Sequence, residues 1–376
     1  MILKKFAYSE YKDNPRYWEV EEFELGSVNL IVGNNTSGKS RTLNVILSLA
    51  KSLTTPIINY NSGKYSACFN NSNNDTIQYV AEFKEGKVFF ESLIFNDELL
   101  FERDENGSGK IYNNLLEIKH SFKVPSNQLL ATRRDEIQYP YLEDLYNWAI
   151  NVRHFRFSKE EEKYTLAIID SNKPVSEGQN QNVTNQAIEI FRKGKAQFKQ
   201  VFINNVIKDF NSIGYDVSNI DSGSLHSVKI DSAIGNKVIG LRVFENDRKG
   251  MTDQNEMSDG MFRALSLIIH YNYYELDSKN LTVLIDDIGE GLDFERSTNL
   301  IKLLIEKSKS PEIQLIMTSN DKFVMNNTNL EYWQAISRIG GKVKMFNSFN
   351  SPEAFKKFKF TGLNNFDFFA SEYFKN

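Results

Sequence analysis

Only one cysteine, Cys68, occurs in the 376 residues, which excludes a disulfide framework. The four histidines, His120, His154, His226 and His270, are scattered and show no metal-ligand spacing, so a zinc site is not expected. Long hydrophobic runs are missing too. The longest, around Leu265–His270, is far too short to span a membrane. The first residues, Met1-Ile2-Leu3-Lys4-Lys5-Phe6, flow into a strand pattern rather than a secretory leader, and a cytoplasmic location is expected. Positive charge is not in excess: 45 Lys and Arg against 49 Asp and Glu leave a net charge of −4. Proteins that hold nucleic acid by bulk electrostatics are usually basic, so that class is disfavoured, although a locally positive groove stays open. No heptad array and no internal repeat is visible, which excludes a long coiled-coil arm. The remaining composition is that of an ordinary globular protein, at a length that calls for two lobes.

Against that plain background one segment stands out. Gly33-Asn34-Asn35-Thr36-Ser37-Gly38-Lys39-Ser40 has the pattern G-x-x-x-x-G-K-S. It follows the apolar run Val28–Val32 and precedes a helical pattern from Thr42 to Ala50, the context a phosphate-binding loop needs. Such glycines let successive backbone N–H groups turn inward, and the helix start adds its positive end. Lys39 is then expected at the β- and γ-phosphates and the Ser40 hydroxyl on Mg²⁺. Gly33, Asn34, Asn35, Ser37, Gly38, Lys39, Ser40 and Arg41 are the candidate nucleotide-binding residues, with ATP and Mg²⁺ as ligands.

Around this loop the pattern is mixed. The first 30 residues read as two strands, and the runs Ile77–Phe83, Val88–Phe95 and Glu98–Arg103 as an antiparallel meander beside the loop. A helix is expected over Tyr139–Val152, and a polar loop over Ser171–Thr184. An amphipathic helix follows over Asn185–Ile213, with Ile190, Phe198, Val201, Phe202 and Ile213 as its apolar stripe. Lys237–Glu245 reads as a strand and Gly260–Leu276 as a helix. Leu281–Ile285, Phe294–Ser308 and Ile313–Met317 then alternate as strand, helix and strand, the signature of a parallel sheet with covering helices.

Companion motifs narrow the class. The strand Leu281–Ile285 ends in Asp286-Asp287, placing Asp286 to hold Mg²⁺ and Asp287 to orient or deprotonate the attacking water. By itself an Asp-Asp turn capping a buried strand reads equally well. The longer stretch Asp286-Asp287-Ile288-Gly289-Glu290-Gly291-Leu292-Asp293 resembles the Walker B motif and D-loop of ABC-type ATPases. The resemblance implies that Asp293 lies where the D-loop crosses to a partner subunit. Upstream, Met257-Ser258-Asp259-Gly260-Met261-Phe262-Arg263 is similar to the signature loop of RecF- and SMC-like members. There Ser258 and the N–H groups near Gly260 are expected to grip the γ-phosphate held by the other subunit; alone, Ser258 reads as a plain helix cap. Met317-Thr318-Ser319-Asn320-Asp321 corresponds to the family's switch, with Asn320 where a histidine usually stands. Pro125-Ser126-Asn127-Gln128 offers Gln128 as a further metal contact.

The long separation between Lys39 and Asp286 fits the RecF/SMC/OLD branch, whose heads carry insertions. The expected fold is therefore α/β: an ABC-like P-loop head with a mixed sheet and an antiparallel β lobe, interrupted by a mainly helical insertion. Residues 1–120 form the first half of the head, 121–235 the insertion, 236–345 the second half, and 346–376 an aromatic-rich tail. Ser-Asp-Gly-Met-Phe-Arg at 258–263, Arg133-Arg134-Asp135 and Phe360–Phe366 resemble short ATPases of anti-phage operons. Asp287 in place of the usual glutamate draws the base back, a displacement that costs roughly a hundredfold in rate, and Asn320 cannot carry a proton. A slow ATPase is expected, one that pairs with a second copy of itself and switches a separate effector, since the 56 residues after Asn320 hold no nuclease cluster. The alternatives are a DNA-binding repair ATPase of the RecF/SMC kind and a scaffold that hardly turns over. The tail aromatics either pack on the head or form a docking surface.

Overall fold

Alternating apolar and polar residues near the N-terminus become a strand because each inward side chain finds a covered face. The computed structural model describes residues 1–55, 60–71, 73–157, 163, 167–169, 187–227 and 237–375. In it β1 (Ile2–Glu10) buries Leu3, Phe6 and Tyr8 and pairs antiparallel with β2 (Trp18–Glu24). β3 (Val28–Val32) is buried at every position, as a central strand covered on both faces should be. The phosphate-loop pattern separates it from α1 (Lys39–Thr54).

The chain divides into two compact units, Met1–Val152 with Asn280–Val283 and Ser310–Asn376, and Arg153–Lys279 with Leu284–Lys309. In the first, β4 (Ser62–Asn70), β5 (Thr76–Lys84), β6 (Lys87–Phe95), β7 (Glu98–Arg103), β8 (Ser108–Asn113) and β9 (Ile118–Lys123) run antiparallel in succession. β4 also pairs with the free edge of β1. The expected meander is thus longer than its three runs and continues the sheet that carries the phosphate loop. α2 (Pro140–Ile150) starts with proline in its first turn, where no intrahelical donor is lost. It buries Leu142, Leu145 and Trp148, and the Trp148 indole donates to Thr282 Oγ1 at 3.1 Å.

The second unit contains β10 (Val152–Arg156, from its second residue), β11 (Ala167–Ile169), α3 (Ala187–Ser212), β12 (Val217–Ser224), β13 (Lys237–Glu245) and β14 (Thr252–Asp253). β13 pairs antiparallel with β11, β12 and β14. α4 (Asp259–Asp277) is buried from Gly260 to Tyr274. β15 (Leu281–Asp286) ends in this unit and α5 (Phe294–Lys307) follows. α3 is not the single helix expected: Lys199 takes φ 53°, ψ −132°, and the two halves fold back on each other. Phe191 and Phe202 meet across the break with centroids 5.7 Å apart, and the Phe202 ring fills the space a side chain would need at Gly194. The apolar stripe is satisfied by folding, which leaves Val201, expected on it, 58% exposed.

The chain returns to the first unit with β16 (Ile313–Ser319), α6 (Lys322–Asn327), β17 (Trp333–Ile339), β18 (Lys342–Phe346), α7 (Pro352–Phe358) and α8 (Asn365–Ala370). β16 and β17 flank β3, both parallel to it, and β18 joins this part to β2. The carboxyl end of β3 therefore opens between two parallel neighbours, the position at which α/β sheets hold ligands. The divisions expected at residues 120, 235 and 345 do not coincide with the compact units. Strands β10, β11 and β12 accompany the helices of the insertion, and residues 346–376 belong to the first unit. The polar stretch 171–184 lies outside the described residues.

Candidate nucleotide site

The loop after β3 has the backbone a phosphate cradle requires. Gly38 caps α1 at φ 108°, a conformation that favours glycine, and its carbonyl accepts from Thr42 Oγ1 at 3.0 Å. Gly33 is required for a different reason: a Cβ there would lie 2.1 Å from Ile336 Cγ2. Lys39 is buried, its ammonium donating to the carbonyls of Gly33 at 2.8 Å and Asn34 at 3.2 Å. The amine is thereby folded back onto the carbonyls of its own loop. Ser37 Oγ is buried without a hydrogen-bond partner among the described residues. Such a group calls for an occupant.

Two side chains from far along the chain tie down the apex. Asn320 Nδ2 donates to Asn35 Oδ1 at 2.8 Å, so the residue that follows β16 touches the loop after β3 directly. Arg338 Nη1 donates to the Thr36 carbonyl at 2.8 Å. Thr36 has φ 65°, uncommon for a β-branched residue, and Arg338 helps to hold it there. A cavity of about 590 Å³ opens between Asn34–Ser37, the end of β17 and the tail residues Phe369, Phe374 and Lys375. Arg41 points elsewhere, pairing with Glu10 and lying 4.1 Å over the Trp18 ring.

In the second unit, Asp286 ends β15 in a buried position, its carbonyl accepting from Phe157 N at 3.0 Å. Asp287 follows at φ 55°, a left-handed backbone that aspartate tolerates better than most residues. Ser258 is exposed and caps α4, accepting from Met261 N at 3.2 Å; Asp293 is exposed and caps α5, accepting from Arg296 N at 2.9 Å. That bond, with the charge of Arg296, holds the Asp293 carboxyl below its ordinary range. The two loops meet at Gly260, where an added Cβ would sit 2.2 Å from the Gly291 carbonyl oxygen. Both residues are thus exposed helix caps on loops that meet at Gly260.

Residues 28–326 match the family described as "AAA domain, putative AbiEii toxin, Type IV TA system". The chain belongs to that family. Its fold is that of an SMC head. A solved SmcHead bound to the C-winged helix domain of ScpA is 14% identical, with 92% of this chain and 97% of that one covered at a TM-score of 0.50. An Smc head with an extended coiled coil, bound to the C-terminal domain of ScpA from Pyrococcus furiosus, is 12% identical over 95% and 99% at 0.51. RecF in its ATPrS structure is 12% identical over 92% and 98% at a TM-score of 0.45. No curated protein matches.

This AAA chain brings Gly33, Asn34, Asn35, Ser37, Gly38, Lys39 and Asn320 together in one unit, and Ser258, Gly260 and Asp293 in the other. Gln128 is fixed through its main chain, its carbonyl taking Arg103 Nη1 at 2.6 Å; the metal role of its amide is a proposal, as are those of Ser40 and Asp286. Arg338 and Ile336 escaped the sequence reading, since nothing in Trp333–Ile339 marks a strand that will lie under a loop some 300 residues earlier.

Proposed function

We propose that this chain is an ATP-operated switch. ATP binds at Gly33–Ser40 with Lys39 on the β- and γ-phosphates, and Mg²⁺ is held by Ser40 and Asp286 with help from Gln128. A second copy supplies Ser258, Gly260 and Asp293 to the same nucleotide, and Asp287 orients the attacking water. Hydrolysis is slow, and the long-lived ATP state engages a separate effector in anti-phage defence within the cytoplasm. The observation that carries this reading is the Asn320–Asn35 bond. An amide at the switch position registers the occupancy of the phosphate loop, yet it cannot shuttle a proton.

The tail supports a protein partner. Phe355, Phe358, Phe368 and Phe374 pack into the first unit, whereas Phe360 is 89% exposed on the turn between α7 and α8, beside exposed Lys356, Lys357 and Lys359. A single aromatic anchor with flanking cations suits an acidic-rimmed apolar pocket better than a nucleic-acid backbone. The test is an ATPase assay with and without double-stranded DNA at two salt concentrations, then capture of partners with ATP. Turnover well below the ~10 s⁻¹ median for enzymes is expected, with little stimulation by DNA. Strong, salt-sensitive stimulation would replace the switch with a repair-type ATPase.

The shared site has its own test. Lys39→Ala chains mixed with Ser258→Ala chains form dimers with one intact site and one doubly defective site, so part of the ATPase activity returns. No recovery, with mixed dimers confirmed, places each site within one chain.

A further inference from the structure

The last hairpin of the antiparallel meander is less covered than the strands before it. β9 pairs with β8 on one side and, among the described residues, with no strand on the other. β4 and β5 bury alternate side chains, as half-covered strands do, whereas no residue of β9 is buried. Lys119, Ser121 and Lys123 are exposed.

Backbone geometry fixes which groups face outward. In an antiparallel ladder the N–H and C=O of one residue point together to one side, and those of the next residue to the other. Val124 N donates to the Gly107 carbonyl at 2.9 Å, continuing the ladder past the Ser108–Lys123 pair. Phe122, His120 and Ile118 therefore direct their main-chain groups at β8, and Lys119, Ser121 and Lys123 direct theirs away from it. The Ser121 carbonyl meets His120 Nδ1 at 3.2 Å, and His120 Nε2 meets the Tyr139 hydroxyl at 3.1 Å. Residues paired across a ladder share a face, so Lys119, Ser121 and Lys123 lie with Tyr112, Lys110 and Ser108. Lys110 faces Glu102 of β7, whereas Lys119 and Lys123 stand on the outermost strand. At the tip of the hairpin Leu115, Leu116 and Ile118 are more than half exposed, as is Ile137 on the turn bonded to that tip. The tie is Asn114 N donating to the Gln138 carbonyl at 2.8 Å, with Asn113 Nδ2 on Gln138 Oε1 at 2.9 Å. Exposed aliphatic side chains grouped in this way mark a contact site.

Charge decides what fits the edge. Lysines on an edge strand guard it against copies of itself. Were β9 to meet β9 of a second copy antiparallel about Ser121, Lys119 would face Lys123 at both ends, and like charges directly opposite destabilise a pair. The same two lysines favour a strand with carboxylates at the matching positions. We propose that β9 is a docking edge for an extended acidic segment of another protein, which adds antiparallel to it with carboxylates opposite Lys119 and Lys123 and apolar side chains beside Ile118 and Phe122. Main-chain bonds to Lys119, Ser121 and Lys123 supply affinity, and the two lysines with the aliphatic tip select the sequence. The proposal stands apart from the switch reading, since it requires neither nucleotide nor a second copy of the chain.

The probe is a short, end-blocked, fluorescent peptide alternating glutamate and valine, read by anisotropy on the full chain. Binding is expected, and N-methylation of the glutamates, whose N–H groups point at β9, should weaken it roughly a hundredfold. N-methylation of the valines, whose N–H groups point away, should not. The double variant Lys119→Glu, Lys123→Glu should weaken binding roughly tenfold and should prefer a peptide alternating lysine and valine. Ser121→Pro removes one outward donor at an edge position, where proline is tolerated, so it should weaken binding about fivefold and keep the unfolding midpoint. The methylated peptides need no variant, so they decide even where Ser121→Pro unfolds the strand. No binding of the acidic peptide, equal losses on methylating glutamate and valine, or unchanged affinity in the double variant overturns the proposal. Displacement of the peptide by double-stranded DNA would assign the lysines to phosphates and overturns it as well.

Discussion

His270 should make this protein acid-sensitive in a narrow and calculable way. It lies in α4, fully buried, with Nδ1 hydrogen-bonded to the Ser266 carbonyl at 2.8 Å and the Phe155 ring edge-on at 5.3 Å. Nε2 has no partner among the described residues. Burial, opposed by the Ser266 carbonyl and aided by the charge of Arg153, lowers its pKa from 6.5 to about 3. The folded state thus refuses a proton that the unfolded chain accepts below 6.5, so His270 costs nothing above that pH and progressively more as pH falls toward 3. At pH 5 the unfolded chain is favoured by about 1.5 pH units of proton binding, or ~2 kcal/mol. Urea midpoints of the unmodified chain and His270→Gln at pH 7.5 and pH 5 measure this. Glutamine keeps a donor for Ser266 and does not titrate, so the unmodified chain should lose ~2 kcal/mol more than the variant on acidification. Equal losses in the two proteins would refute the reasoning, since His270 would then be protonating within the fold.

Lys39→Ala should weaken ATP binding about a hundredfold or more, the loss of charge-assisted hydrogen bonds in a desolvated loop; calorimetric titration showing unchanged affinity removes the phosphate-loop assignment. Asp287→Asn suits the φ of 55° and should leave ATP binding intact while slowing hydrolysis at least about a hundredfold. If single-turnover rates survive, the water is oriented by another group, with Glu290 the next candidate. Gly260→Ala drives a methyl against the Gly291 carbonyl and should cost ~1–3 kcal/mol in denaturant midpoint. It should also weaken ATP-dependent association, because relief requires the Asp293 loop to move. A neutral substitution would show that these two loops do not pack as described.

The motifs were legible because their physics is local. Val28–Val32, the glycines at 33 and 38, and Lys39 specify strand, turn and helix start within a dozen residues. The caps at Ser258 and Asp293 likewise depend on neighbours three positions away. Their sequential order was enough to point to a fold like that of an SMC head. Contacts made across long stretches of chain were not legible. Nothing local says that Ile336 will fill the space beside Gly33, or that Arg338 will reach Thr36. A stripe of Ile190, Phe198 and Phe202 predicts one helix equally well whether it faces a core or folds upon itself, and only the break at Lys199 decided between them. The aromatic tail was ambiguous for the same reason. A run of phenylalanines carries no period that separates packing from display; tertiary structure buried Phe355, Phe358, Phe368 and Phe374 and left Phe360 outside. Tyr215 shows the limit most plainly, because the Arg296 guanidinium is brought over its ring by a helix far along the chain, beyond any sequence window.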